Sequence, residues 1–364
     1  MSSIWGKQIK ISIFGESHGE AIGVTIDGIK SGEKIDFDYI NKQMKRRAPA
    51  RDETTSSRNE DDNVKILSGI LNGYTTGSPI CAIIKNINAN STDYDELDSI
   101  ARPGHADYTA HIKYNGFQDV RGGGHFSGRL TAPLTFAGSI CQQILMKKNI
   151  RIAAHIQSIK DIKDSKFNAI NIPESLIDDL SSQNFPTIDK DIKIVMKNII
   201  KNAKEKKDSV GGIIECAVIG IPAGIGNPMF NGIESCISSI VFGIPAVKGI
   251  EFGLGFGSSY VYGSNNNDEF YNNDGEIRTK TNNHGGILGG ISYGMPIIFR
   301  LAIKPTPSIG IKQHTINLSN KINSTIEIKG RHDPCIVSRV VPVIEAATAI
   351  SILELLYEDG KIWL

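Results

Sequence analysis

The chain has 364 residues, 40% hydrophobic and 22% charged, with 40 lysines and arginines against 39 aspartates and glutamates. That length can bury a large core, and the formal net charge of +1 excludes a generally basic binder of nucleic acid or anionic membrane. Five widely spaced cysteines (Cys81, Cys141, Cys216, Cys236 and Cys335) with no C-x-x-C pair argue against a disulfide framework or structural zinc and for a reducing compartment.

From Met1 to Phe14 there is no basic segment followed by a long apolar stretch, and no apolar run reaches the roughly 20 residues of a membrane span. A cytoplasmic protein with no membrane partner is expected. Ile9 to Phe14 predicts a short strand ending in the loop Gly15-Glu16-Ser17-His18-Gly19, and Ile22 to Ile29 a second strand. From Asp36, an acidic start and a basic end (Lys42, Lys45, Arg46, Arg47) suit a helix and its dipole. Pro79 to Ile87 predicts a buried strand, and Thr131 to Lys148 a core helix. The lysine-rich stretch from about Lys160 to Lys207 reads as one or two surface helices. Gly211 to Gly220, Ala246 to Phe256 and Ile287 to Ile303 return to strand and glycine-turn patterns, and Val341 to Tyr357 predicts a closing helix. Ser264 to His284, rich in asparagine, aspartate and glycine, reads as a mobile loop over the active site. No repeat and no linker divides the chain, so a single large α/β domain is expected.

Familiar nucleotide motifs are missing. Gly253-Leu254-Gly255-Phe256-Gly257 never completes G-x-G-x-x-G, and no G-x-x-x-x-G-K-[ST], G-x-S-x-G or H-E-x-x-H occurs. Adjacent Ser17 and His18 in one loop seldom point toward each other, which discounts a serine hydrolase. The eight histidines show no metal-ligand spacing, so no metal is expected.

Chemically dense segments fall instead in what should be loops. Foremost is Gly122-Gly123-Gly124-His125-Phe126-Ser127-Gly128-Arg129, whose glycines let backbone approach a ligand closely and adopt positive φ. With it go Arg46-Arg47, Arg102-Pro103-Gly104-His105-Ala106-Asp107, Asn283-His284-Gly285-Gly286-Ile287-Leu288-Gly289-Gly290, Lys304-Pro305-Thr306-Pro307-Ser308 and Arg331-His332-Asp333-Pro334. Loops carrying Arg, His and Gly together bear function disproportionately. Converging, they would bind a substrate with more than one carboxylate or phosphate, held by forked arginines.

These segments, in this order and from about Ile9 to Ala346, resemble the chorismate synthase family. The resemblance implies a β-α-β sandwich, a homotetramer, reduced FMN as cofactor and 5-enolpyruvylshikimate 3-phosphate as substrate. The implied reaction is a 1,4-anti elimination of phosphate and a ring hydrogen. By the same resemblance, Arg47, Arg102, Arg129 and Arg331 hold substrate anions. His18 would protonate the leaving phosphate and His105 the reduced flavin, while Asp333 would assist removal of the ring proton. The positions matching FMN contacts are His125, Phe126, Ser127, Ala246, Gly289, Lys304, Pro305, Thr306, Pro307, Ser308 and Arg331. Two departures from the family pattern occur: Glu53 stands where an arginine is common, with Arg51 two residues earlier, and Pro245 where asparagine usually precedes Ala246.

The rival enzyme reading is an NAD(P)H-dependent flavin reductase using the same FMN pocket, with NADPH a candidate reductant in either case. It would not need four substrate arginines and two histidines in separate loops. A non-enzymatic binder of anions or nucleic acid fits the near-zero charge poorly.

Overall fold

Two five-stranded sheets enclose a layer of helices. The computed structural model describes residues 3–49, 54, 62–86, 99–328 and 333–360. The first sheet runs Ile4–Trp5, Lys10–Gly15, Ala21–Asp27, Ile80–Lys85, Val64–Ser68, every neighbouring pair antiparallel. The second runs Val247–Phe252, Ile297–Ile303, Gly212–Ile219, Arg151–Ile159, Ile162–Lys163, again antiparallel throughout. Alternation explains the inner face of the first: Ile22, Val24 and Ile26 are buried on one strand, and Ile80, Ala82 and Ile84 on its neighbour.

Helix Thr131–Met146 packs on the first sheet, helix Val337–Glu358 on the second, and the two pack on each other. Both are apolar all round and buried along most of their length, as helices walled in on every side must be. Gly138 sets their spacing, since a Cβ there would fall 2.3 Å from the Ala346 Cα. One apolar cluster runs from Ile9 to Leu356. The arrangement is the expected α/β, single-domain β-α-β sandwich. Helix Val337–Glu358 starts four residues before the expected Val341 and carries Pro342 inside it. It is long and apolar enough to cross a membrane by composition, yet it is the core helix of this fold, nine-tenths buried.

Local signals set the other elements. Asp36 caps helix Phe37–Arg47, its carboxylate accepting from the amides of Asp38 and Tyr39. The lysine-rich stretch forms two helices, Glu174–Ser182 and Lys190–Glu205. The Ser264–His284 segment differs from an irregular loop: it holds a hairpin, Phe270–Asn273 with Glu276–Thr279. Asp274 and Gly275 at its tip both have positive φ, the turn an Asp-Gly pair favours. Buried Asp268 anchors its base by accepting from Thr281 Oγ1 (2.6 Å), the Asn283 amide (2.7 Å) and the His284 amide (3.0 Å).

The second sheet carries a buried charged cluster. His155, fully buried, places Nδ1 3.0 Å from Asp164 Oδ2 and Nε2 3.0 Å from Glu215 Oε2. Both ring nitrogens face carboxylates, so the ring is best satisfied as an imidazolium donating twice. Burial disfavours that charge, but the hydrogen bonds it donates to Asp164 and Glu215 prevail and raise the His155 pKa above its ordinary 6.5. A raised folded-state pKa gives stability that is complete below the unfolded value and lost as pH rises through the folded one. Asp164 is the mirror case. Burial opposes its ionisation, but hydrogen bonds from His155 and the 188–189 amides lower its pKa, so its contribution is lost only in acid. The urea midpoint should therefore fall on the alkaline side of neutrality. His155→Gln should flatten that limb, and an unchanged alkaline limb would refute the assignment.

Candidate active site

The glycine run forms the floor of the site. Gly122, Gly123 and Gly124 all have positive φ (58°, 91° and 52°), and Gly122 and Gly123 each lie against a histidine. A Cβ on Gly122 would fall 2.0 Å from His18 Cε1, and one on Gly123 3.0 Å from His105 Nε2. No other residue type fits both the dihedrals and the rings. The loop that brings in His18 is pinned by its own backbone, with the Ser17 amide donating to the Gly124 carbonyl at 3.1 Å. Two histidines from loops 87 residues apart thus meet on consecutive glycines.

Each imidazole is oriented through Nδ1. The Ser17 hydroxyl donates to the Arg121 carbonyl at 3.1 Å, so its oxygen is left to accept from His18 Nδ1, also at 3.1 Å. His105 Nδ1 lies 2.5 Å from Asp107 Oδ1. Asp107 also accepts from Arg102, through Nε (2.7 Å), Nη2 (2.7 Å) and the backbone amide (2.9 Å). Burial opposes ionisation of Asp107, but hydrogen bonds from Arg102 and His105 outweigh it and hold the carboxyl well below the usual carboxylate range. An ionised Asp107 makes His105 Nδ1 a donor. With Nδ1–H donating to Asp107, Nε2 is the nitrogen of His105 able to accept a proton.

The arginines gather beside this floor. Arg47 Nη1 donates to Asp62 Oδ2 at 2.5 Å, and Arg129 Nη1 donates to Asp62 Oδ1. Arg102 is buried and faces His105, with Nη2 3.1 Å from Nδ1. Asp333 accepts from Arg339 Nη1 at 2.5 Å, and Arg339 Nε donates to the Arg47 carbonyl at 3.1 Å. Arg129 Nε donates to Asn86 Oδ1 at 3.2 Å, and Asn86 Nδ2 donates to the Glu16 and Gly19 carbonyls on either side of His18, which joins the arginines and Asp333 to the histidine loops. Arg331, Arg51 and Glu53 lie outside the described residues.

The Lys304 to Ser308 segment packs against the same loops. Lys304 Nζ donates to the Gly104 carbonyl, and a Cβ on Gly104 would sit 3.5 Å from Pro307 Cβ. The Lys304 amide donates to the carbonyl of Ala246, which itself has φ +75°. Burial, with Lys248 nearby, lowers the Lys304 pKa. Buried Thr306 Oγ1 has no hydrogen-bond partner among the described residues. His125 Nδ1 faces the Gly15 carbonyl at 2.8 Å, Phe126 lies 6.2 Å from the Tyr114 ring, and Ser127 Oγ accepts from the Arg129 amide. Gly289 stands apart. It occupies the turn of hairpin Ile287–Leu288 with Ile291–Ser292, which abuts the start of strand Ile297–Ile303, whereas Lys304 follows that strand's end. At about 3.3 Å per residue the separation is roughly 20 Å, and no hydrogen bond among the described residues joins Gly289 to the histidine cluster.

Residues 9–357 match the family model for chorismate synthase. The chain belongs to the chorismate synthase family, carbon–oxygen lyases of the shikimate pathway. It is 44% identical over 362 residues to a chorismate synthase of Dehalococcoides mccartyi, covering 100% of this chain and 98% of that one. It is 45% identical to the one from Pyrococcus abyssi, covering 94% of each. A crystal structure of chorismate synthase superposes with a TM-score of 0.76 at 28% identity, covering 98% of this chain and 93% of that one.

Within this chorismate synthase fold, three site residues carried no role in the sequence reading: Asp62, Asp107 and Arg339. Only Asp107 had a legible signal, standing two residues after His105 in a motif already singled out. Asp62 and Arg339 act across 67 and 292 residues of chain, on Arg129 and the Arg47 carbonyl, and spacing gives no hint of either contact.

Proposed function

We propose that this chain catalyses the 1,4-anti elimination of phosphate and a ring hydrogen from 5-enolpyruvylshikimate 3-phosphate, giving chorismate with reduced FMN as cofactor. The observation that carries the reading is the seating of His18 and His105 on consecutive glycines of one run, beside Arg102. Membership of the family supplies the substrate. The substrate bears two carboxylates and a phosphate, which calls for cations that cannot themselves give up a proton, and arginine meets that need.

Arg47, Arg102 and Arg129 hold the substrate anions, and Arg331 is assigned with them by resemblance. His18 Nε2 delivers a proton to the departing phosphate, which leaves more readily when protonated. His105 Nε2 keeps the cofactor in its productive protonation state, steadied by Asp107. Asp333, oriented by Arg339, takes the ring proton. Reduced FMN, when bound, supplies electron density as the allylic C–O bond breaks and recovers it as hydrogen leaves.

The residues present suit that cofactor. Lys304, with its lowered pKa, and Thr306, with its unpartnered buried hydroxyl, offer a charge and a donor for the FMN phosphate. Ser308 adds a second hydroxyl, and Pro305 and Pro307 stiffen the segment. His125, Phe126, Ser127 and Ala246 would help to hold the flavin. Gly289 is not part of this site within one chain. A covering role for the 264–284 segment falls to the hairpin beyond the Asp268 anchor, most of which is exposed. A cytoplasmic homotetramer completes the reading.

The test is an anaerobic reaction of purified protein with chemically reduced FMN and 5-enolpyruvylshikimate 3-phosphate, following phosphate and chorismate together. Equimolar release is expected. Folded, FMN-binding protein that releases neither product would sink the proposal, and NADPH oxidation with FMN alone would favour the flavin reductase.

A further inference from the structure

Asp62 lies outside every motif that drew attention to this site. It stands just before strand Val64–Ser68, and its side chain is 2% exposed. Each carboxylate oxygen takes a different arginine: Oδ2 accepts from Arg47 Nη1 at 2.5 Å, and Oδ1 from Arg129 Nη1. Those arginines come from separate elements. Arg47 ends helix Phe37–Arg47, and Arg129 sits in the 3-10 turn Gly128–Leu130 ahead of the central helix. Each has a second anchor on its Nε, Thr131 Oγ1 at 3.3 Å for Arg47 and Asn86 Oδ1 at 3.2 Å for Arg129.

Two guanidinia this deep in the protein repel each other, and little water is present to screen them. One carboxylate shared between them offsets the repulsion and fixes their separation.

We propose that Asp62 is a positioning residue for substrate: it clamps Arg47 and Arg129 side by side so that the pair meets one oxyanion of the substrate, phosphate or carboxylate, together. The inference rests on the elimination reading for the identity of that substrate. Asp62 donates no proton and touches no reacting atom. Its effect runs through the two arginines, so its loss should appear in binding rather than in turnover.

The test compares wild type, Asp62→Asn and Asp62→Glu, each checked by thermal unfolding. Calorimetric titration with inorganic phosphate and with shikimate, a carboxylate without phosphate, is read beside KM and kcat. Asp62→Asn should weaken binding of at least one anion and raise KM on the order of 10- to 100-fold, because misplaced positioning groups cost that much. The kcat should stay within a few-fold. Selective loss of phosphate or of shikimate binding names the group that the clamp holds, and either supports the proposal. In an Arg129→Lys background the further effect of Asp62→Asn should shrink, since the two act as a unit. If Asp62→Asn does not fold, Asp62→Glu keeps the charge but moves it by one methylene, and it should raise KM with kcat held. Unchanged or tighter anion binding in a folded variant, or a loss confined to kcat, would overturn the proposal. Absence of chorismate from wild type would sink the elimination reading alone, because the phosphate titration still reports on the clamp.

Discussion

Replacing His105 by alanine should lower kcat/KM by about 10²- to 10⁴-fold, the usual worth of a positioned acid–base group, and His18→Ala should do likewise. Neither ring is part of the apolar core, so the melting temperature should stay close to that of wild type. The loss follows from geometry, because each ring is held through Nδ1, by Asp107 or by Ser17. Asp107→Asn sharpens the test. It keeps the shape of the loop but replaces a low-pKa carboxylate by an amide that no longer fixes the Nδ1–H tautomer. Activity should fall with KM little changed, measured with saturating reduced FMN. Turnover by His105→Ala within a few-fold of wild type would remove that histidine from the mechanism.

The largest effect on stability is expected at Glu345. Its carboxylate takes both Nη atoms of Arg46, Nη2 at 3.1 Å, with both side chains at most 2% exposed. It also accepts from the Ala154 amide at 3.0 Å. Arg46 in turn donates to Gln43 Oε1 at 2.6 Å and to the Gln183 carbonyl at 3.2 Å. The network joins helix Phe37–Arg47, the closing helix and the second sheet. Glu345→Ala would strand a buried guanidinium, at a cost of about 3–5 kcal/mol in urea unfolding. Replacing both partners by apolar residues of similar size should recover most of it, because no charge is left unpaired. A loss below about 1 kcal/mol for the single variant would mean that water reaches the pair.

Much of this was legible before any coordinates. Asp36 announced the helix that follows it, and the alternation of Ile22, Val24 and Ile26 announced a strand with one buried face. The glycine run and the R-P-G-H-A-D segment were legible as chemically dense loops, and the structure brings them together at Gly123 and His105. Less was legible where composition and conformation part. Asn273-Asp274-Gly275 reads as loop material in a window of asparagines, yet Asp-Gly is also the turn that closes a hairpin. The closing helix begins before the expected Val341, because burial of Val337, Val340 and Val341 outweighs the backbone hydrogen bond lost at Pro342. The carboxylates that organise the site, Asp62 and Asp107, were hidden for another reason. The sequence advertised the cations, whereas which carboxylate meets each cation is settled only by folding. Gly289 is legible as a turn, which it forms between Ile287–Leu288 and Ile291–Ser292.

The seating of two histidines against the glycine run is tested most directly by kcat/KM of two glycine variants. A methyl on Gly122 would lie 2.0 Å from the His18 ring, at a φ of 58°, whereas one on Gly128 meets nothing within 4 Å. Gly122→Ala should therefore fall to the activity of His18→Ala while remaining folded, and Gly128→Ala should keep the activity of wild type. A Gly122→Ala variant as active as wild type would contradict the account.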